Sequence, residues 1–193
     1  MIPSRLTRRS AVLLALGLTF AALQPAYSVR AEMAVPTESN PPGDIPDSQV
    51  FIGYSGPSGI AMKVPEGWSR KDLADGARFF DKYNSVELTV SPAAAAPTVS
   101  TARDVQLAEL ARSGRAVDVV SIKPARLPGG TGVVIAFTEN SDPNPVTNKQ
   151  IRLEAVRYLI FSKGKLVALD MKAPAGADNV DQWRLMASSV RIK

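Results

Sequence analysis

The segment from Ile151 to Phe161 constrains this chain more than any other. Read as a strand, it places Leu153, Ala155, Leu159 and Phe161 on one face, with Arg157 among them. Val156, Tyr158 and Ile160 fall on the other, with Arg152 and Glu154. Successive strand side chains point to opposite faces, so a strand that is apolar on both must be covered on both. Such a strand belongs near the middle of a sheet with a layer on each side.

Its neighbours have the spacing to complete that sheet. Strands are expected at Val50–Tyr54, Gly59–Val64, Ala77–Asp81, Ser85–Val90, Val117–Ile122, Val133–Thr138 and Leu166–Met171. Gly56-Pro57-Ser58, Lys82-Tyr83-Asn84 and the Ser162–Lys165 stretch read as hairpin connections, and Pro65–Trp68 as a turn. Short connections make antiparallel pairs. Ile60, Met62 and Val64 alternate with Ala61 and Lys63, and Val86, Leu88 and Val90 alternate with Glu87 and Thr89, so each of these strands has one buried face. Gly129-Gly130-Thr131-Gly132 lacks the Lys-Ser/Thr of a phosphate loop and leads into a strand, so it reads as a turn.

Two helices complete the pattern. The first is expected to begin at Thr101, with Asp104 completing a capping box, to present Leu107, Leu110 and Ala111, and to stop at Gly114. The second is expected to be capped by Asp178, with Asp181 in its first turn. Its stripe of Trp183, Met186, Ala187 and Val190 falls at i, i+3, i+4 and i+7 and should pack on the sheet. Strands, helix, strands, helix is an α+β order.

The N-terminus has the three parts of an export signal: basic Arg5, Arg8 and Arg9, an apolar run from Ala11 to Leu23, and a small-residue exit. Residues 1–31 are therefore expected to be a cleavable signal peptide, cut after Ala31, with Ala26-Tyr27-Ser28 as the competing exit. Thr7-Arg8-Arg9-Ser10 resembles a twin-arginine signal; Ala11 stands where Phe is usual, which leaves Sec export open. The apolar run is shorter than the ~20 residues of a membrane span, so stable insertion after cleavage is not expected. Residues 32–48, with Pro36, Pro41, Pro42, Gly43 and Pro46, read as a flexible leader, and residues 49–193 as the domain.

Charge and residue usage close off several chemistries. The net charge of +5 belongs to the precursor. Arg5, Arg8, Arg9 and Arg30 lie in the signal, whose removal leaves 19 basic against 18 acidic residues. Arg70-Lys71 and Lys163 with Lys165 read as solvated turns, so no nucleic-acid surface is expected. The chain has no cysteine and no histidine. Disulfides, thiol nucleophiles, His-based triads, His or Cys metal sites and lipid attachment at cysteine are all excluded.

Several segments together resemble a known family. Gly59–Trp68, with its Pro65-Glu66-Gly67-Trp68 ending, resembles the "strand, Pro, x, Gly-Trp" opening of PsbP-like domains. Phe79-Phe80-Asp81, then Asn84 leading into Val86-Glu87-Leu88, continues the likeness. The Lys163-Gly164-Lys165 hairpin, Ala173-Pro174, the helix through Trp183 and a short strand near Val190-Arg191-Ile192 complete it over about 50–193. The resemblance implies a Mog1/PsbP-like fold, an α-β-α sandwich around a central antiparallel sheet, and a non-enzymatic role. Family members include extrinsic subunits and assembly factors of photosystem II and many exported bacterial proteins. Plant members carry histidine-containing regions, and lipid-anchored ones carry a cysteine; this chain has neither, so a photosystem role is not carried over.

Candidate site residues are few. Asp142, Asn144 and Asn148 offer oxygens to a calcium ion. Val146, Thr147 and Leu153 depart from the EF-hand pattern, however, which favours a proline-rigidified hairpin loop that also suits the rim of a partner site. Tyr54 and Trp68 are candidate stacking residues, with Trp68 more simply read as sealing the sheet edge. Asp72 with Asp75, or Glu66 with Asp81, are the carboxylate pairs an enzyme would need, but their spacing fixes no separation. No catalytic residue and no cofactor is assigned. The expectation is a periplasmic or secreted, non-catalytic binding or assembly module acting on another envelope protein or complex. The alternative is a small-ligand carrier with a pocket between sheet and helix.

Overall fold

A computed structural model describes residues 32–193. The expected signal, with Arg8, Arg9 and Ala31, lies outside the described residues. Two-faced apolar strands do take the centre. Seven strands form one sheet in the order β3 (Ser69–Leu73), β4 (Gly76–Asp81), β5 (Asn84–Pro92), β9 (Lys165–Pro174), β8 (Arg152–Ser162), β7 (Gly130–Asn140) and β6 (Asp118–Leu127). Every pairing in it is antiparallel.

One face of this sheet is covered along most of its width. Val86, Leu88, Val167, Leu169, Met171 and Ile160 meet Ile60, Met62 and Val64, and also Trp183, Met186 and Val190. The first three of these facing residues belong to β2 (Ile60–Pro65), and the next two to α3 (Val180–Ser189), with Val190 just past its end. The expected hairpin of β1 (Phe51–Ser55) and β2 thus stands apart as its own three-stranded sheet with β10 (Arg191–Ile192). Burying the Ile60–Met62–Val64 face against the larger sheet requires stacking face to face, which edge-on pairing would not achieve.

The opposite face is covered only in part. A helical segment runs through α1 (Val99–Thr101), a π-helical stretch Ala102–Gln106 and α2 (Leu107–Ser113). Ala102 and Leu110 pack on Val133, Ile135, Phe137, Ala155 and Leu159, the β7–β8 part of the sheet. The α+β class and the α-β-α layering are as expected, with the small sheet added to one outer layer. Truncating Phe137 to alanine in this packing would cost about 3–5 kcal/mol.

Several local expectations are corrected. The first helix is capped by Thr98, three residues before Thr101: the Thr98 hydroxyl accepts the Thr101 N–H, and the Thr101 hydroxyl accepts the Thr98 N–H. Gly114 ends α2 in an extended conformation, not a left-handed one. Asn179, not Asp178, precedes α3, and its side chain caps nothing, because it is bonded elsewhere. Arg70-Lys71 lies in strand β3 and not in a turn. The Lys163-Gly164 hairpin holds, with positive φ at both residues, as a tight two-residue turn requires. In the glycine run, a Cβ on Gly132 would sit 1.8 Å from the Leu159 carbonyl oxygen, so the close β7–β8 approach excludes any side chain there.

Residues 32–48 have no regular secondary structure, but they are bonded along their length. Ile45 is buried; its N–H donates to Asn179 Oδ1 (2.6 Å), and its carbonyl accepts from Gln182 (3.1 Å). The Gly43 carbonyl accepts from Asn84 and Asn179. Glu38 pairs with Lys149 at 2.5 Å. Further toward the N-terminus, Asn140 donates to Glu32 and to the Met33 carbonyl and accepts the Val35 N–H. The expected flexible leader is a strap. Its prolines prevent regular structure but not docking through buried asparagines.

Candidate functional site

The incomplete cover over the sheet creates an open concavity. Helix α2 shields β7 and β8, with Leu166 and Ala168 of β9 packed beside them, while Arg78 of β4, Glu87 of β5, and Asp170 and Lys172 of β9 make the rest of the same face polar. Register shows this directly: Arg78 of β4 lies opposite Glu87 of β5, Glu87 opposite Asp170 of β9, and Asp170 opposite Arg157 of β8. Directly paired residues share a face. A charged row therefore crosses from the open part of the sheet to the helix-covered part.

Above part of this row lies an open cleft of about 580 Å³, walled by the end of α2 and the loop after β7. Its basic side chains are Arg78, Lys82, Arg115, Arg157 and Lys172; its acidic ones are Glu139 and Asp142. Three of the cations are held by carboxylates. Arg157 bonds Asp170 through Nε–Oδ1 (2.6 Å) and Nη2–Oδ2 (2.9 Å). Burial works against its charge, but the bond and field of Asp170 outweigh this, so its pKa is raised. Lys172 donates to the buried Glu139. Arg115 pairs with Glu32 at 2.9 Å. Glu32 is held below the usual carboxylate range, first by the side-chain donors Asn140 and Gln150 and then, against a small effect of burial, by Arg115. Arg78 and Lys82 are exposed, and neither is within salt-bridge distance of a carboxylate among the described residues. The Arg78 guanidinium rests 5.9 Å from the Phe80 ring centroid.

Two of the expected site residues, Asp142 and Asn144, line this cleft. Asn144 Oδ1 accepts the N–H groups of Val146 and Thr147, and its carbonyl accepts the Asn148 N–H. Asn148 adopts a left-handed conformation at φ 56° and does not line the cleft. The loop is a self-bonded turn. Among the described residues no group of three acidic side chains is placed to hold a metal ion. The Ser141 hydroxyl donates to the Asp142 carbonyl and accepts the Ile151 N–H, so it is held within the loop.

Tyr54 and Trp68 belong to the core around the small sheet, away from the cleft. Tyr54 is 5% exposed, with its ring edge-on to Phe79 at 5.1 Å and the Arg70 guanidinium 4.9 Å from its centroid. No ring face remains for a ligand, so the stacking role for Tyr54 is withdrawn. Trp68 is half-buried against the same core, next to the turn at Gly67 (φ 83°).

A second, smaller groove of about 270 Å³ lies between α3 and the β7–β8 face, lined by Ala136, Val156, Tyr158 and Trp183 with Glu154 at its edge. Burial raises the pKa of Glu154 against a lowering backbone bond from Gly176. Burial likewise raises that of Tyr158.

Sequence reasoning missed Arg78, Lys82, Arg115 and Lys172. The one legible signal was Arg157, a charge placed among apolar residues on a core face. Arg78, Lys82 and Lys172 become neighbours through the β4–β5–β9 register, which joins segments more than eighty residues apart, and Arg115 joins them from just beyond α2.

The fold and the cleft define an α+β protein of PsbP-like fold with an open, charged cleft on its larger sheet. The chain is similar in structure to cyanobacterial PsbP (CyanoP) from Synechocystis sp. PCC 6803, with a TM-score of 0.51, 16% identity, and 78% of this chain and 98% of that one covered. It also aligns with a crystal structure from Bacteroides thetaiotaomicron VPI-5482 (TM-score 0.48, 12% identity, 73% of this chain and 48% of that one). A further alignment is with the Ran-binding protein Mog1p of Saccharomyces cerevisiae (TM-score 0.46, 9% identity, 75% of this chain and 96% of that one). No protein-family model matches the chain, and no curated protein matches its sequence. At these identities the likeness is one of fold, and function must be argued from the site.

Proposed function

We propose that the chain is exported to the bacterial envelope, cut after Ala31, and works there as a non-catalytic binding or assembly module on a protein partner. The cleft is the contact surface. The observation that carries this reading is how the charges in the cleft are disposed. Arg157, Lys172 and Arg115 are neutralised by carboxylates, which fixes their geometry, while Arg78 and Lys82 face solvent unpaired. A polar concavity with three of its cations held in place by ion pairs suits recognition, where preorganised charges set specificity. The test is affinity capture from envelope extract on the exported protein, with an Arg78→Glu/Lys82→Glu variant in parallel. One protein is expected at near-equal stoichiometry on the native bait and depleted on the variant. Capture of no protein, with a stoichiometric small molecule found by mass spectrometry, would overturn the reading.

That contrary outcome would favour the second reading, a small-ligand carrier. The groove beside α3 supports it: mostly apolar, it has Glu154 and Tyr158 as convergent polar groups. A Tyr158→Trp substitution would fill the groove and should remove such a ligand while leaving protein capture unchanged.

A further inference from the structure

We infer that the cleft recognises an acidic peptide segment of the partner, with its carboxylates on Arg78 and Lys82 and the segment running toward Arg115. The inference rests on the cleft being the partner-binding surface, and it adds the chemistry of what binds there.

Charge complementarity is the first argument. Of the five basic side chains that face the cleft, Arg157, Lys172 and Arg115 are neutralised by Asp170, Glu139 and Glu32, while Arg78 and Lys82 are exposed and in no salt bridge among the described residues; Asp142 is the one acidic lining residue not already paired. The exposed Arg78 guanidinium rests over the Phe80 ring, 5.9 Å from its centroid.

The second argument is the strap. Residues 32–48 contain Glu32, Glu38, Asp44 and Asp47 and no lysine or arginine. Its first carboxylate, Glu32, is bonded by Arg115 and Asn140, both of which line the cleft, and by Gln150. The protein thus already holds an irregular acidic segment of its own against one end of the cleft. A partner segment of the same character would extend that pattern to the two unpaired cations.

The third argument separates a peptide from a nucleic acid. Glu139 and Asp142 stand among the cations, and the exported domain has 19 basic against 18 acidic residues. A phosphate backbone calls for a continuous groove of one sign. Spaced carboxylates on a peptide can match an interrupted one.

The experiment measures binding of a fluorescein-labelled peptide of alternating Glu and Ser to the exported protein by anisotropy, at low salt. The peptide with Gln at every Glu position is expected to bind at least about tenfold more weakly, and added salt should weaken the Glu peptide. Arg78→Glu/Lys82→Glu should weaken binding at least about tenfold, Arg78→Gln/Lys82→Gln by less, and Lys63→Glu, on the small sheet, not at all. Both cleft side chains are exposed, so unchanged melting is expected and would rule out unfolding as the cause. Equal binding of the Gln peptide, no response to charge reversal, or displacement of the peptide by inorganic phosphate or an oligonucleotide at lower concentration would each overturn the inference. If the peptide fails while the native bait still captures a protein that charge reversal depletes, the acidic-segment inference alone falls. If capture yields no protein, the broader reading falls with it.

Discussion

Arg157 and Asp170 face each other across β8 and β9 and are joined by two parallel bonds of 2.6 and 2.9 Å. The same guanidinium donates to Gln106 Oε1 at 3.2 Å, in the π-helical stretch, and lies 3.6 Å from Glu109 in α2. One nearly buried cation therefore fixes the central strands to the helix that forms the cleft wall. A bidentate pair is geometrically specific as well as strong.

Removing one partner strands the other. Asp170→Asn is expected to destabilise the fold by about 3 kcal/mol, because Arg157 keeps its charge with a poorer acceptor. The double variant Arg157→Leu/Asp170→Leu should cost clearly less, since no charge is left behind. Urea denaturation of the three proteins checks this. A double variant as unstable as the single one would contradict the account.

Tyr54 presents the opposite case. Its hydroxyl is buried without a hydrogen-bond partner, and burial raises its pKa, against a lowering influence of Arg70. Tyr54→Phe should therefore be neutral or stabilising, by up to about 1 kcal/mol, because an unsatisfied polar group is removed and the ring contacts remain. A loss of more than that in thermal melting would show that the hydroxyl has a partner.

Asn179 has no exposed surface and holds the strap from both sides, accepting from Ile45 and donating to the Gly43 carbonyl. Asn179→Ala should cost about 2–3 kcal/mol by leaving both groups unpaired. It should also open residues 32–48 to limited proteolysis at a protease dose that spares them in the native protein. Cleavage elsewhere first would contradict the role of the strap.

What was legible in the sequence followed period and turn chemistry. Val86–Leu88–Val90 and the two-faced Ile151–Phe161 segment gave the sheet, and Lys163-Gly164 gave a turn that only certain residues form. What was not legible depended on distant neighbours. β3, with the sequence Ser-Arg-Lys-Asp-Leu, shows no alternation because it is an exposed edge strand with no apolar face to bury. Thr98 and Thr101 are both good caps, but Thr98 is extended (φ −102°, ψ 168°) while Thr101 is already helical (φ −62°, ψ −34°), so the helix starts from Thr98. Asp178 and Asn179 are equally good on paper, but Asn179 is taken by Ile45, 134 residues away. The cleft lay beyond reach for the same reason: its cations come from β4, the turn after it, β8, β9 and the end of α2.

Glu154 gives a pH prediction. Its folded pKa is raised, first by burial. A carboxyl of this kind disfavours the fold above its folded pKa, and the penalty disappears as pH falls through that value. Glu154→Gln should therefore stabilise slightly at neutral pH, by about 0.5 kcal/mol or less because the side chain is only partly buried. Below about pH 4 the two proteins should be equally stable. Urea denaturation at both pH values tests this, and a Gln variant that is less stable at neutral pH would refute it.

The central claim is that the cleft face meets a protein partner. Site-specific photo-crosslinking in living cells tests it most directly, with a photoreactive amino acid at Tyr83, on the cleft, and separately at Val120, on the groove beside α3. The account predicts a single discrete protein adduct from position 83 and none from position 120. Adducts from position 120 alone, or none from either, would contradict it.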